Sequence, residues 1–278
     1  MATFHLAERS RIAIGGPDAE HFLQNLVTTD IESMKPEEAW PGALLTPQGK
    51  IWFDFLIARD GDGFVVETDT ADVDALVKRL MIYRLRAKVT IDLMAGNGTI
   101  VTDKASSAAC RDMRFEQAGI ELFRAQAPAA ITGDGMDGYA QLRVAAGVAE
   151  MNRDYASQDA FPHDVLMDRN GALSFTKGCY VGQEVVSRMQ HRGTARRRVA
   201  HVAAAGNLPA SGTVLIAAGK PVGTLGTISG TDGLAIVRID RIGEAEAAGQ
   251  PVTADGLAVT VTPFAWSGLT FAPSKSED

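Results

Sequence analysis

Thiols are scarce in this chain of 278 residues, which has two cysteines, Cys110 and Cys179. They lie far apart and form neither a CxxC pair nor a Cys/His spacing. That excludes a disulfide-stapled secreted fold and points to a reducing compartment. The five histidines are scattered, so no stably bound metal is expected. Long apolar runs are missing too: nothing approaches the ~18 residues of a membrane span. The first residues lack the basic-then-apolar pattern of a secretion signal. A cytoplasmic protein without membrane contact is the expectation. An excess of positive charge is also absent, and a net charge of −7 argues against a general nucleic-acid coat. No phosphate-loop or dinucleotide glycine pattern and no internal repeat stands out. Only the tail S-K-S-E-D reads as disordered.

What is present is ordinary for a globular chain, with 46% apolar and 22% charged residues. The length allows a sizeable core and two or three structural units. Apolar spacing predicts a strand at 11–14, then a helix over about 19–28 capped by Asp18. A hairpin of 42–46 and 51–58 turns on P-Q-G-K, and a strand follows D-G-D-G. A helix over 71–85 and strands at 87–93 and 98–102 come next. The segment 106–113 reads as a short helix that buries Cys110, 119–126 as a strand, and 138–147 as a helix ending at Gly147. From 148 to 170 the chain is polar and irregular. Past about residue 196, short β segments alternate with glycine turns, as in a small barrel or sandwich. The expected division is therefore 1–195 and 196–278 within an α+β fold.

The most informative stretch is T-K-G-C-Y-V-G-Q-E-V-V-S-R-M-Q-H-R-G, residues 176–193. Leu173, Ser174 and Phe175 suit a short strand, and V-V-S-R-M has helical spacing. Gly178 and Gly182 allow a tight turn between them. Gln183 and Glu184 fall in the first helical turn, where an acid complements the dipole. Cys179 then lies ahead of a helix N-terminus with Lys177 beside it, and both features favour a thiolate. Two readings stay open: an approachable nucleophile, redox switch or soft metal ligand, or a buried structural cysteine in a glycine-rich turn. One thiol cannot hold an iron–sulfur cluster by itself, because such sites normally take four protein ligands.

K-G-C-Y-V-G-Q-E, at 177–184, resembles the signature of the YgfZ family of folate-binding proteins, relatives of the glycine-cleavage T-protein aminomethyltransferases. Further segments fit that family in order: G-P-D-A-E-H-F-L-Q-N-L-V-T-T-D-I (16–31), L-L-T-P-Q-G-K-I-W-F-D-F (44–55), R-L-R-A-K-V (84–89), L-R-V-A-A-G-V-A-E (142–150) and F-P-H-D-V-L (161–166). The resemblance implies T-protein-like folate-binding domains around a central hole, with a C-terminal small β-barrel. It implies tetrahydrofolate or a folate derivative as cofactor, and a role in assembling or repairing iron–sulfur clusters. T-proteins usually carry aspartate where this chain has Cys179, and the exchange of a hard carboxylate for a soft thiol favours the YgfZ branch. The glutamate that binds the pterin in T-proteins is matched by Asp164, one carbon shorter. Thr29, Asp30 and Arg86 would line the hole. Cys179 would be the working thiol, kept ionised by Lys177 and able to bind iron transiently. Gly178, Tyr180, Gly182, Gln183, Glu184 and Arg188 would shape the turn or meet a client.

Arg188, Arg192, Arg196, Arg197 and Arg198 gather positive charge for an anion or, more plainly, form a salt-paired linker. No aromatic residues accompany them, so direct nucleic-acid binding is not expected. Trp40 and Trp52 flank the hairpin and could stack on a pterin or simply pack. The expected partners are iron–sulfur client enzymes or assembly proteins. The rival readings are a tetrahydrofolate-dependent aminomethyl or one-carbon transferase and an accessory to tRNA modification.

Overall fold

A computed structural model describes residues 2–128 and 135–271. The S-K-S-E-D tail lies outside the described residues. The chain starts with strands β1 (Thr3–Leu6) and β2 (Arg9–Gly15), then helix α1 (Ala19–Gln24). Strands β3 (Glu38–Leu45), β4 (Ile51–Asp60) and β5 (Gly63–Asp69) form a meander, followed by helix α2 (Val73–Arg84). Strands β6 (Thr90–Leu93), β7 (Thr99–Thr102), β8 (Cys110–Asp112) and β9 (Phe123–Gln126) complete a nine-stranded sheet. Its order is β1-β7-β9-β8-β3-β4-β5-β2-β6. Helices α3 (Met136–Ala146) and α4 (Gln183–Arg192) flank an irregular stretch whose one short helical turn is Pro162–Val165.

A closed barrel follows, of β10 (Arg197–Ala204), β11 (Val214–Ala217), β12 (Lys220–Ser229), β13 (Asp232–Arg238), β14 (Val252–Ala254) and β15 (Leu257–Thr262). Helix α5 (Ile239–Ala247) lies between β13 and β14. The β segments have alternating patterns and glycine turns, and closing them removes exposed sheet edges. The barrel encloses its own core of Ala200, Val202, Leu215, Val237, Val261 and neighbours. The main core lies against the large sheet and includes Ile12, Leu44, Ile57, Leu76 and Val186.

Several local expectations are corrected, each by a tertiary contact. Helix α1 stops at Gln24 rather than running to 28, because Thr28 pairs with β3: its N–H donates to Ala43 O (3.0 Å) and its Oγ1 accepts from Ala43 N (2.9 Å). Asp18 makes no capping bond to α1, and its Oδ2 accepts instead from Lys88 N (2.7 Å). The segment around Cys110 is a strand, not a helix, because Arg111 and Asp112 pair in parallel with Glu38 and Ala39 while Cys110 and Arg111 pair with β9. Sheet pairing here overrides the helix preference of its alanines. Residues 173–175 find no strand partner; Leu173 N donates to Met167 O and Ser174 N to Thr28 O. Arg86 lies in an exposed turn after α2, before β6 begins.

Candidate functional site

The loop that leads into α4 is anchored on each side of Cys179. Before it, Ser174 N donates to Thr28 O (3.0 Å), and Lys177 Nζ donates to Val27 O (2.9 Å) and Thr29 O (2.6 Å). After it, Tyr180 is buried in the main core, with its hydroxyl 3.4 Å from Ser174 O. Gly182 then enters α4 at φ +79°, where a Cβ would come within 2.6 Å of Thr46 O. Across from it, a Cβ on Gly49 (φ +78°) would meet Val185 at 3.0 Å. Both positions combine a left-handed backbone with a close approach, which only glycine tolerates well. Three sequence motifs thus become one object: T-T-D at 28–30, P-Q-G-K at 47–50 and K-G-C-Y-V-G-Q-E at 177–184. Between the anchors Gly178 and Cys179 are exposed, and no heavy atom lies within 4 Å of a Cβ built on Gly178.

This geometry gives Lys177 an anchoring role, because its ammonium is held by two backbone carbonyls. Burial lowers its pKa to about 8, against the opposing pull of Asp30 and Glu32. Glu184 and Arg188 form an exposed i,i+4 ion pair (2.7 Å) on α4, with Glu184 84% exposed.

Of the residues expected to hold folate, Thr29, Asp30 and Asp164 each have partners of their own. Thr29 is buried and donates from Oγ1 to Pro41 O (2.7 Å), while Asp30 accepts from Gln24 Nε2 (2.9 Å). Asp164 is buried within its own helical turn, where its Oδ2 accepts from Phe161 N (3.1 Å) and lies 3.8 Å from Arg197 Nε. Burial pushes its carboxyl up in spite of these partners. Arg86 stands apart on the surface. Trp52 is covered by the Arg79 guanidinium at 3.8 Å, and Trp40 Nε1 donates to Glu38. The arginine cluster divides as well: Arg197 pairs with Asp159 and Arg198 is buried against Asp168, whereas Arg192 and Arg196 are exposed.

A buried polar network escaped the sequence reading. Glu67 on β5 meets Arg9, Arg11 and Arg124; Arg124 and Arg114 share Asp112; Arg114 and Arg143 share Glu150; Arg143 reaches Asp154 (2.6 Å) and Thr227 of the barrel (2.5 Å). Burial alone would raise the pKa values of Glu67 and Glu150. The surrounding guanidinium charges win and hold both carboxyls far below the usual range. The available signal was a set of arginines in strands and helices flanked by apolar residues, as in R-S-R-I and Q-L-R-V. Asp54 on β4 was also missed. It accepts from Tyr155 OH (2.7 Å) and Met151 N (2.9 Å), and burial raises its pKa.

Asp54, Arg9, Pro41, Glu150 and Asn170 bound a cavity that also touches Val165, next to Asp164. Its volume is about 30 Å³, space for one or two waters and far below a pterin. Asp164 is turned into its own loop and this cavity is too small for a pterin, so neither supports the expected folate contacts.

The nine-stranded sheet followed by a closed barrel defines the class as a T-protein-like fold. It matches the crystal structure of glycine cleavage system aminomethyltransferase T from Bartonella henselae with a TM-score of 0.71, over 98% of this chain and 87% of that one, at 14% identity. Residues 196–269 match the family described as the CAF17 C-terminal beta-barrel domain. The mitochondrial iron-sulfur cluster assembly factor IBA57 of Homo sapiens is 32% identical over 280 residues, covering 87% of this chain and 78% of its own length. The corresponding homologue of Pyricularia oryzae is 33% identical over 215 residues, covering 70% of this chain and 55% of its own. The chain belongs to the IBA57 family of iron–sulfur cluster assembly factors. The resemblance to the YgfZ family was close but not exact, since the relatives matched here carry the IBA57 name. The cytoplasmic expectation is corrected by the same finding, because these relatives are named mitochondrial proteins.

Proposed function

We propose that this protein serves iron–sulfur cluster assembly and that Cys179 supplies one thiolate to a cluster completed by another protein. The observation that carries this reading is an exposed thiol on a loop whose two flanks are fixed. A lone mobile cysteine would lose more conformational freedom on binding than one already held in place. Among the described residues no group of three or more His, Cys, Asp or Glu can hold a metal, so the other ligands come from a partner. Thiolate is the soft ligand that iron–sulfur clusters take. The partner is accordingly an assembly protein or a client enzyme that offers an incomplete thiolate set. One-carbon transfer through tetrahydrofolate, the rival reading, draws no support from a cavity of about 30 Å³.

The test is rescue of cells lacking this protein, read as the activity of several [4Fe–4S] enzymes. The native gene is expected to restore activity and Cys179→Ser to fail, with the variant's unfolding midpoint unchanged because the side chain is exposed. Equal rescue by both genes would remove the thiol from the mechanism.

A further inference from the structure

Large apolar side chains stand in water at few places, and those places cluster. Met81, Ile82, Leu85 and Leu93 are exposed within one short segment, and Val214 is the one other such residue among those described. Scattered exposure is ordinary, but a contiguous apolar patch marks an interaction surface. Met81 and Ile82 lie one turn before Leu85, the residue that caps α2. Leu93 belongs to the same side of the sheet. β6 packs against α2, and Leu93 shares a face of β6 with Ile91, which is buried in one core with Leu76 and Leu80 of α2. Leu85 is the clearest case: it is 86% exposed and held at φ +46°. A branched side chain is strained there, as glycine would not be, and Leu85 belongs to none of the apolar cores.

The charge around this patch opposes that of the whole chain. Residues 78–93 carry five cations (Lys78, Arg79, Arg84, Arg86 and Lys88) and one anion (Asp92), in a chain of net charge −7. Arg79 covers Trp52, and Arg84 Nη1 donates to Val89 O (3.4 Å). Lys78, Arg86 and Lys88 are exposed and form no ion pair among the described residues. On α2 itself the one acid is Asp74, in the first turn. Glu20, Asp60 and Asp62 gather by Thr90. The side chains of Thr90 and Asp92 point to the opposite face of β6 from Ile91 and Leu93.

Three kinds of occupant could cover such a surface, and two conflict with it. A second copy related by a twofold axis would set these cations against each other. A lipid surface would take water from the outer edge of β6 and put no hydrogen-bond partner in its place. That edge is open: β6 ends the sheet, and its bonded pairs with β2 alternate from Met94–Arg11, so Leu93 directs its N–H and C=O away from β2. An extended peptide supplies backbone partners and side-chain charge together. We infer that the end of α2 and the outer edge of β6 form a docking surface for an extended segment of a partner protein, rich in acidic and apolar residues. The segment pairs with β6 at Leu93, its apolar side chains cover Met81, Ile82 and Leu85, and its carboxylates meet Lys78, Arg86 and Lys88. The surface is built from residues outside the Cys179 loop and does not rest on the cluster-assembly reading.

The experiment selects a random peptide library, displayed on phage, against the full chain and measures synthetic copies of the selected peptides by fluorescence anisotropy. Those peptides are expected to combine aspartate or glutamate with aliphatic residues, and to bind more weakly as salt rises. Leu85→Gly is expected to lower their affinity about tenfold through one lost apolar contact. Its unfolding midpoint is expected to hold or rise, because glycine relieves the positive φ. Arg86→Glu combined with Lys88→Glu is expected to lower affinity at least as far while circular dichroism stays unchanged, since both side chains are exposed. Peptides methylated on their backbone nitrogens are expected to lose binding, because they cannot pair with β6. Cys179→Ser is expected to bind as the native chain does, which separates this surface from the cluster reading. A selection that yields no peptide, or yields basic or neutral ones, overturns the inference, as do peptides that the variants bind equally well. Binding to phosphatidylglycerol vesicles that Leu85→Gly abolishes would give the patch to lipid, and a dimer in sedimentation that the same variant abolishes would give it to a second copy. Either result overturns the inference as well.

Discussion

The Cys179 loop and the arginine ladder both fix polar groups in place, and they do so by opposite means. In the loop, the anchors are an ammonium on two carbonyls, a buried tyrosine and glycines that let backbones touch; the thiol itself stays in water. In the ladder, the charged groups are largely withdrawn from solvent and each meets a neighbour of opposite sign. A loop held by local contacts can be altered one contact at a time. A buried chain of ions cannot, because each removal strands the charge that it had balanced.

The contrast sets an order of expected effects. Arg143→Met leaves Asp154 without its guanidinium partner, takes one partner from Glu150 and unties α3 from the barrel strand at Thr227, so it is expected to cost about 3–5 kcal/mol, measured by urea unfolding. A loss comparable to that of a surface substitution would break the comparison. Gly182→Ala meets both a positive φ and the Thr46 carbonyl, at an expected cost of roughly 1–3 kcal/mol. Its control is Gly178→Ala, where the space is open and the expected change stays within about 0.5 kcal/mol.

Lys177 gives a pH signature. Its folded-state pKa is lowered to about 8 from 10.5, so between those values the unfolded chain binds more protons than the folded one. Stability contributed by this group therefore rises with pH across that window, with a slope of at most about 1.4 kcal/mol per pH unit. Subtracting the profile of Lys177→Met from that of the native protein is expected to isolate this rise. The smallest effect is assigned to Glu184→Ala: its exposed ion pair with Arg188 is worth at most about 0.5 kcal/mol by thermal unfolding.

Legibility followed the range of the interactions. The β3–β4 hairpin, α2, α3 and the strand-rich barrel were readable because period and turn residues act over a few neighbours. Asp18, Cys110 and Leu173 were misread because their conformations answer to Lys88, β3 and Thr28, which are distant in sequence. The K-G-C-Y-V-G-Q-E motif could be picked out by residue type, yet its partners could not. Nothing local in Lys177 says that its ammonium will reach back to residues 27 and 29. Asp164 was a reasonable carboxylate to nominate, but its own turn captures it.

By itself the sequence determined that a mixed α/β region precedes a small barrel, and that one cysteine stands in a glycine-flanked turn before a helix. Those features depend on periodicity, on glycine's backbone freedom and on residue chemistry, all of which are local. Only the tertiary structure decided that Cys179 is exposed while its flanks are clamped, that five arginines run through the interior, and that apolar side chains at the end of α2 stand in water. Burial and charge pairing depend on which distant segments meet, because desolvation and Coulomb energy are set by spatial neighbours rather than by neighbours in the chain.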